Sequence, residues 1–305
     1  MVTSRCLPIV TCFLTLIGAA VSAKAAEGVD VSIMPESTAG GLIVSHADLP
    51  ENNLAYLSCE GVLWGEGQST PLFEVQLTEA PNDDGAHWIR RADTFAYTWH
   101  YDAGIAVAFV ARPTATGLHL TYTLTNTGDE TRDRVLLHTC VPTTTAPAFF
   151  PEFRESDVHE PGKTGNYMGF YGRTWLWRGG EAFSFSETEK GADEIHLSLV
   201  RAGQSPVEWG WWVNSPERFD LPVIAVESTD GEWVTGLAFE QADWASCNGG
   251  DDRACFHLFP LFGDLQPGKS RTVKGRFYLM PGTRQDLLEQ FRRDFPSAGG
   301  EEKEG

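Results

Sequence analysis

The sequence predicts an all-β fold, a large two-sheet antiparallel β-sandwich with a short C-terminal helix. Short alternating runs of aromatic and β-branched residues extend from Val29 to Met280, broken about every ten residues by Gly, Pro, Asn or Asp. Only one stretch, at 283–295, shows a helical period. With the leader removed, roughly 280 residues remain, enough for one large sandwich core.

The first 25 residues read as a secretory signal peptide. Arg5 precedes an apolar run from Leu7 to Ala20, and small residues follow at Val21, Ala23 and Ala25. The apolar run is short of the ~20 residues of a membrane span. The expectation is a secreted or periplasmic protein with no integral membrane segment after cleavage.

Residues 26–296 are expected to form a single domain. The run GLHLTYTLTNTGDETRDRVLLHTCV, 117–141, places Leu118, Leu120, Tyr122 and Leu124 on one face. Asn126 to Asp129 supply a turn, and Val135, Leu137, Thr139 and Val141 alternate on the return, so the run reads as one half-buried hairpin. Further strands are expected at 71–77, 95–101, 104–111, 195–201, 207–213, 222–228, 233–240, 255–262 and 271–280. Between 142 and 180 the alternation lapses into a segment rich in Pro, Gly and aromatics, read as an ordered loop excursion. In the C-terminal helix Leu287, Leu288, Phe291 and Phe295 cover one face, and 297–305 is a disordered acidic tail.

Removing Arg5 and Lys24 from 23 basic residues leaves 21 against 42 acidic ones. Such a surface repels a phosphate backbone, so no nucleic-acid partner is expected. No phosphate loop, dinucleotide fingerprint or haem motif is present, and no cofactor is expected.

Four cysteines remain after leader cleavage. In an exported chain they point to disulfides, with Cys247 to Cys255 closing the local loop and Cys59 with Cys140 as the remaining pair or as buried thiols. The segment DWASCNGGDDRACFHLFPLFGD, 243–264, also carries His257. Zinc spacing would need a closer cysteine pair, and an EF-hand would need acids at alternate positions, so no metal is expected.

His257 is a candidate general acid or base, oriented by Glu240 or Asp243, with Tyr171 as the alternative base. Asn248 and Arg173 are candidates for stabilising charge that develops on a substrate. Arg154, Asn166, Tyr167 and Trp244 are the candidate sugar-binding residues, offering hydrogen bonds and ring faces from loops. No G-x-S-x-G motif is present to support acyl transfer. Glu152 and Asp157 keep glycoside hydrolysis open.

In strand density, size and the closing segment LQPGKSRTVKGRFYLMPG, 265–282, the chain resembles galactose-mutarotase-like β-sandwich proteins. That resemblance implies a sugar as the ligand class and carries over no catalytic residue. Two functions follow as expectations: an exported protein that binds carbohydrate, with or without processing it, or a non-catalytic structural or interaction module of the envelope.

Overall fold

The computed structural model of the protein describes residues 23–24, 28–34, 40–64, 88–101, 104–150, 168–187, 194–196, 214–215, 219–250 and 253–298. The strands expected at 71–77 and 207–213, and most of 195–201, lie outside the described residues, as do most of the leader and of the tail.

Two sheets form among the described residues. The first runs, edge to edge, through β1 (Ala23–Lys24), β2 (Val29–Ile33), β3 (Gly41–His46), β4 (Leu49–Leu63), β9 (Arg132–Pro142), β17 (Arg253–Leu265), β16 (Ala242–Gly250), β12 (Glu194–His196) and β13 (Asn214–Ser215). The second runs through β11 (Glu181–Ser184), β10 (Thr174–Arg178), β14 (Val223–Glu227), β15 (Trp233–Phe239), β18 (Ser270–Pro281), β8 (Gly117–Asn126), β7 (Ile105–Thr114), β6 (Thr94–Tyr101) and β5 (Ile89–Arg91). Pairing is antiparallel except between β12 and β13. The all-β sandwich is therefore the observed architecture.

Strict alternation builds the core between the sheets. Leu118, Leu120, Tyr122 and Leu124 of β8 are buried there against Tyr56, Phe109, Phe239 and Phe277. Polar atoms in this core are satisfied across it. Ser58 Oγ donates to the Gly40 carbonyl at 2.6 Å and lies 2.8 Å from the Tyr97 hydroxyl, while Tyr122 donates to the Ser58 carbonyl at 2.8 Å. The Tyr56 and Tyr122 hydroxyls bond each other, and Cys59 Sγ lies 2.9 Å from the Tyr101 hydroxyl. Burial pushes the Cys59 thiol up to about 12, which keeps it protonated.

The expected 117–141 hairpin is corrected. β8 pairs with β7 and β18, whereas β9 pairs with β4 and β17 in the other sheet, so the chain crosses the sandwich between them. Both strands alternate as a hairpin would, and alternation does not say which partner a strand takes. The crossing is held by Asn126, whose side-chain amide donates to the Glu130 and Leu265 carbonyls at 2.7 and 2.8 Å.

The segment 242–250, expected to be a loop, is strand β16, paired with β17 from Ala242↔Pro260 out to Gly250↔Arg253. At the C-terminus the expected helix spans Arg284–Asp294, opened by a Thr283 capping box in which the Asp286 carboxylate accepts the Thr283 N–H. Leu287, Leu288 and Phe291 cover the outer face of the second sheet over Trp177, Val223, Ala225 and Tyr278.

Gly117 opens β8 at φ +130°, and a Cβ there would sit 2.0 Å from the Phe277 carbonyl oxygen on β18. Gly117→Ala is expected to cost about 3 kcal/mol through backbone strain and a displaced ladder. Gly268→Ala, at φ +70° with open space around it, is expected to cost about 1 kcal/mol. Urea unfolding of the two variants measures the difference.

Candidate functional site

β9, β16 and β17 lie side by side, and each carries apolar residues inward at alternate positions. The positions between them point to the outer face of the first sheet. There, from neighbouring strands, Leu136 and His138 of β9, Trp244 and Ser246 of β16, and His257 and Phe259 of β17 come together. Three rings stack across the strands: Trp244 on Phe259, with centroids 4.5 Å apart and planes 15° from parallel, and Phe259 on His138 at 4.5 Å and 7°.

The carboxylate that completes the group comes from β4. Its register to β9 shifts between Leu57↔Cys140 and Gly61↔His138, four residues against two. This bulge turns Glu60 onto the outer face, as bulges re-aim side chains. Glu60 Oε2 lies 3.4 Å from His138 Nε2 and 3.9 Å from His257 Nε2, and the two imidazole centroids are 4.8 Å apart. The Ser246 hydroxyl, 2.9 Å from His257 Nδ1, fixes the second ring.

Burial sets the proton affinities. It pushes the Glu60 carboxyl up to about 7, with His257 pulling the other way, so the group gives and takes a proton near neutrality. His138 is held well below the usual imidazole range, first by burial and then by His257 beside it. Burial alone would lower His257 too, but Cys255 and Glu60 outweigh it and raise the ring. Among the described residues neither nitrogen of His138 makes a hydrogen bond: Nε2 faces Glu60 without hydrogen-bonding geometry. Glu60 is the partly accessible member, with 18% of its side chain exposed against 2% for His138 and 4% for His257.

Of the residues singled out in the sequence, His257 lies in this group. Trp244, expected in a loop with its ring exposed, is instead buried in β16 with a ring face against Phe259. Tyr171, also expected in an exposed loop, ends the short helix Met168–Tyr171 and is buried in the core. Arg173 donates to the Glu227 and Phe149 carbonyls at 3.1 and 3.3 Å, tying chain segments together.

Thr174, next to Arg173, lies 3.6 Å from Cys247 on the inner side of β16, whereas His257 points outward. The sheet therefore separates Tyr171 and Arg173 from His257. Asn248 lies in β16 opposite Cys255, and Arg154, Asn166 and Tyr167 lie outside the described residues, as do Glu152 and Asp157. Neither acid expected to orient His257 is seen to do so: Asp243 is ion-paired with Arg134, and Glu240 accepts from the Lys274 backbone N–H at 3.0 Å.

The cysteine pairs are corrected as well. Cys247 stands opposite Phe256 and Asn248 opposite Cys255, so the two thiols point to opposite faces and no disulfide joins them. Cys59 faces inward to Tyr101 and Cys140 stands on the outer face opposite His257, so of the two alternatives for this pair the structure has the buried thiols and not the disulfide.

Sequence reasoning missed Glu60 and His138, and it placed Cys140 only as a disulfide partner or buried thiol. The signal for two of them was present: with Val135, Leu137, Thr139 and Val141 inward, Leu136, His138 and Cys140 must share the other face of β9. Glu60 had no such signal, because a bulge decides where it points.

No protein-family model matches the sequence, and no curated protein does. Among solved structures the chain is similar to a galactose mutarotase-like protein from Lactobacillus casei, at 10% identity over 86% of this chain and 100% of that one, with a TM-score of 0.45. It is similar to a galactose mutarotase related enzyme from Lactobacillus acidophilus, at 10% identity over 87% and 98% of the two chains and a TM-score of 0.43. An aldose epimerase homologue from C. elegans is similar at 9% identity over 87% and 99%, with a TM-score of 0.42.

His138 makes the stability of the fold depend on pH. Its folded-state affinity for protons lies below the unfolded value of about 6.5, so its stabilising contribution is complete above that pH and is lost as pH falls further. The groups facing it are Glu60 and His257. His138→Phe keeps a ring on Phe259 and removes the titration. Relative to wild type, the variant is expected to gain about 1 kcal/mol per pH unit below about pH 6.5. Paired urea unfolding curves at neutral and mildly acidic pH measure the gain.

Proposed function

We propose that this is an exported carbohydrate-binding protein and that Glu60, between His138 and His257, moves protons on the bound sugar. The observation that carries this reading is the meeting of one carboxyl and two imidazoles on a single sheet face, with the carboxyl the accessible member. The accessible carboxyl, which ionises near neutrality, both gives and accepts hydrogen bonds, which suits a neutral polyhydroxylated ligand. A phosphorylated or polyanionic ligand finds no basic cluster among these groups.

The chemistry that fits is proton transfer at a sugar oxygen or carbon. Glu60 exchanges the proton with the substrate, and His257, held by Ser246, stabilises the carboxylate when the proton has left. His138 stays neutral, held in place by its stack on Phe259.

The test is a thermal-shift and glycan-array screen of the leaderless chain against neutral and acidic sugars, with hits followed by NMR in deuterated water. A ligand is expected to shift the melting temperature and to show anomer interconversion or deuterium uptake. Glu60→Gln is expected to keep binding and to slow that exchange by about 10² to 10⁴. No shift across the panel, or undiminished exchange in the variant, overturns the reading. Export is checked by N-terminal sequencing of the protein from its native host, expected to start just after Ala23 or Ala25.

A further inference from the structure

Two thiols stand beside the proton-transfer group, and that reading gives them no role. Cys140 of β9 faces His257 of β17 directly, and Cys255 lies two residues before His257 on the same face of the strand. The donor atoms of Cys140, Cys255 and His257 all lie within 4.8 Å of one another, and all three residues are buried.

We propose that Cys140, Cys255 and His257 form a binding site for zinc(II). Two thiols and an imidazole are the donor set that a borderline-soft ion takes in preference to calcium or magnesium. Tetrahedral zinc, with bonds of about 2.3 Å to sulfur and about 2.0 Å to nitrogen, spaces such donors about 3.5 to 3.8 Å apart. From separations of up to 4.8 Å the set has to close by about 1.3 Å at most, a distance that side-chain rotation on three fixed strand positions covers.

The backbone already does the harder part. β9 and β17 are adjacent interior strands of the sheet, so the ligand-bearing positions are fixed before any ion arrives, and the Ser246 hydroxyl holds the His257 ring. The fourth position is left to water. Binding releases the two thiol protons and forms two zinc–sulfur bonds with no change of oxidation state.

The local spacing of Cys247, Cys255 and His257 argued against zinc in the sequence. The structure replaces Cys247, which points inward, with Cys140 from a strand more than a hundred residues earlier. The ligand set is therefore cross-strand and has no local spacing to read.

Cobalt(II) is the probe. The reduced, metal-free leaderless chain, titrated without sugar, is expected to take up one equivalent and to show thiolate-to-cobalt absorption that zinc displaces. Cys140→Ser and Cys255→Ser should each weaken uptake at least tenfold. Cys59→Ser and Cys247→Ser, on the inner side of the sheet, should leave it unchanged.

If the serine variants fail to fold, alkylation of the wild-type protein followed by mass spectrometry decides: zinc should slow modification of Cys140 and Cys255 and not of Cys247. The absence of a thiolate band at one equivalent overturns the site, and so does a band that survives both substitutions. Isolation of the protein from its native compartment with a Cys140–Cys255 disulfide overturns it too. Because no sugar enters the titration, failure of the carbohydrate reading leaves this result standing; zinc on His257 takes that ring from Glu60, so the sugar screen is run on the metal-free chain.

Discussion

Between Leu57 and Gly61 strand β4 advances four residues while its partner β9 advances two, and both faces of the first sheet depend on this mismatch. A regular strand would put Ser58 and Glu60 on the same side. The bulge instead sends Ser58 and Cys59 inward, to Tyr97 and Tyr101, and Glu60 outward, to His138 and His257. One irregularity thus ties the two sheets together on the inside and brings the carboxyl to the imidazoles on the outside.

The inward half of that arrangement is a polar network in an otherwise apolar core. Buried hydroxyls cost free energy unless they are hydrogen-bonded, and here each finds a partner across the sandwich or on the neighbouring strand. Such bonds contribute about 1 kcal/mol each, but leaving one unmade costs more. The network therefore selects one stacking of β4 on β6 and β8 over its shifted alternatives, which apolar contacts alone would rank less sharply. The outward half is poised differently: burial raises the Glu60 carboxyl and lowers His138, so acid and imidazole stay close without both being charged.

What the sequence disclosed follows the range of the interaction responsible. The faces of β8 and of the C-terminal helix depend on residues two to four apart, and Leu118 to Leu124 and Leu287 to Phe291 are buried as their periods required. Pairing was not legible, because the alternation of 117–141 fits a hairpin as well as a crossing between sheets. The site fell between these cases. His257 stood out as a titratable residue in an apolar strand, but its titratable partners come from β4 and β9, and only β-sheet order makes them neighbours. Trp244, Tyr171 and Arg173 were read from a loop-like composition, whereas ring stacking, core burial and carbonyl contacts decide their places.

The crossing at Asn126 also shapes how the chain acquires its fold. Because β8 does not turn back on itself, one of its two neighbours in the sheet is β18, where Thr123 meets Thr272 across 149 residues. Chains whose strands pair over such distances must close long loops before the contacts repay the entropy, so they fold slowly. During synthesis the middle of the second sheet cannot close until β18, the last of the described strands, has emerged. Until then β8 presents an open edge on which another strand can pair.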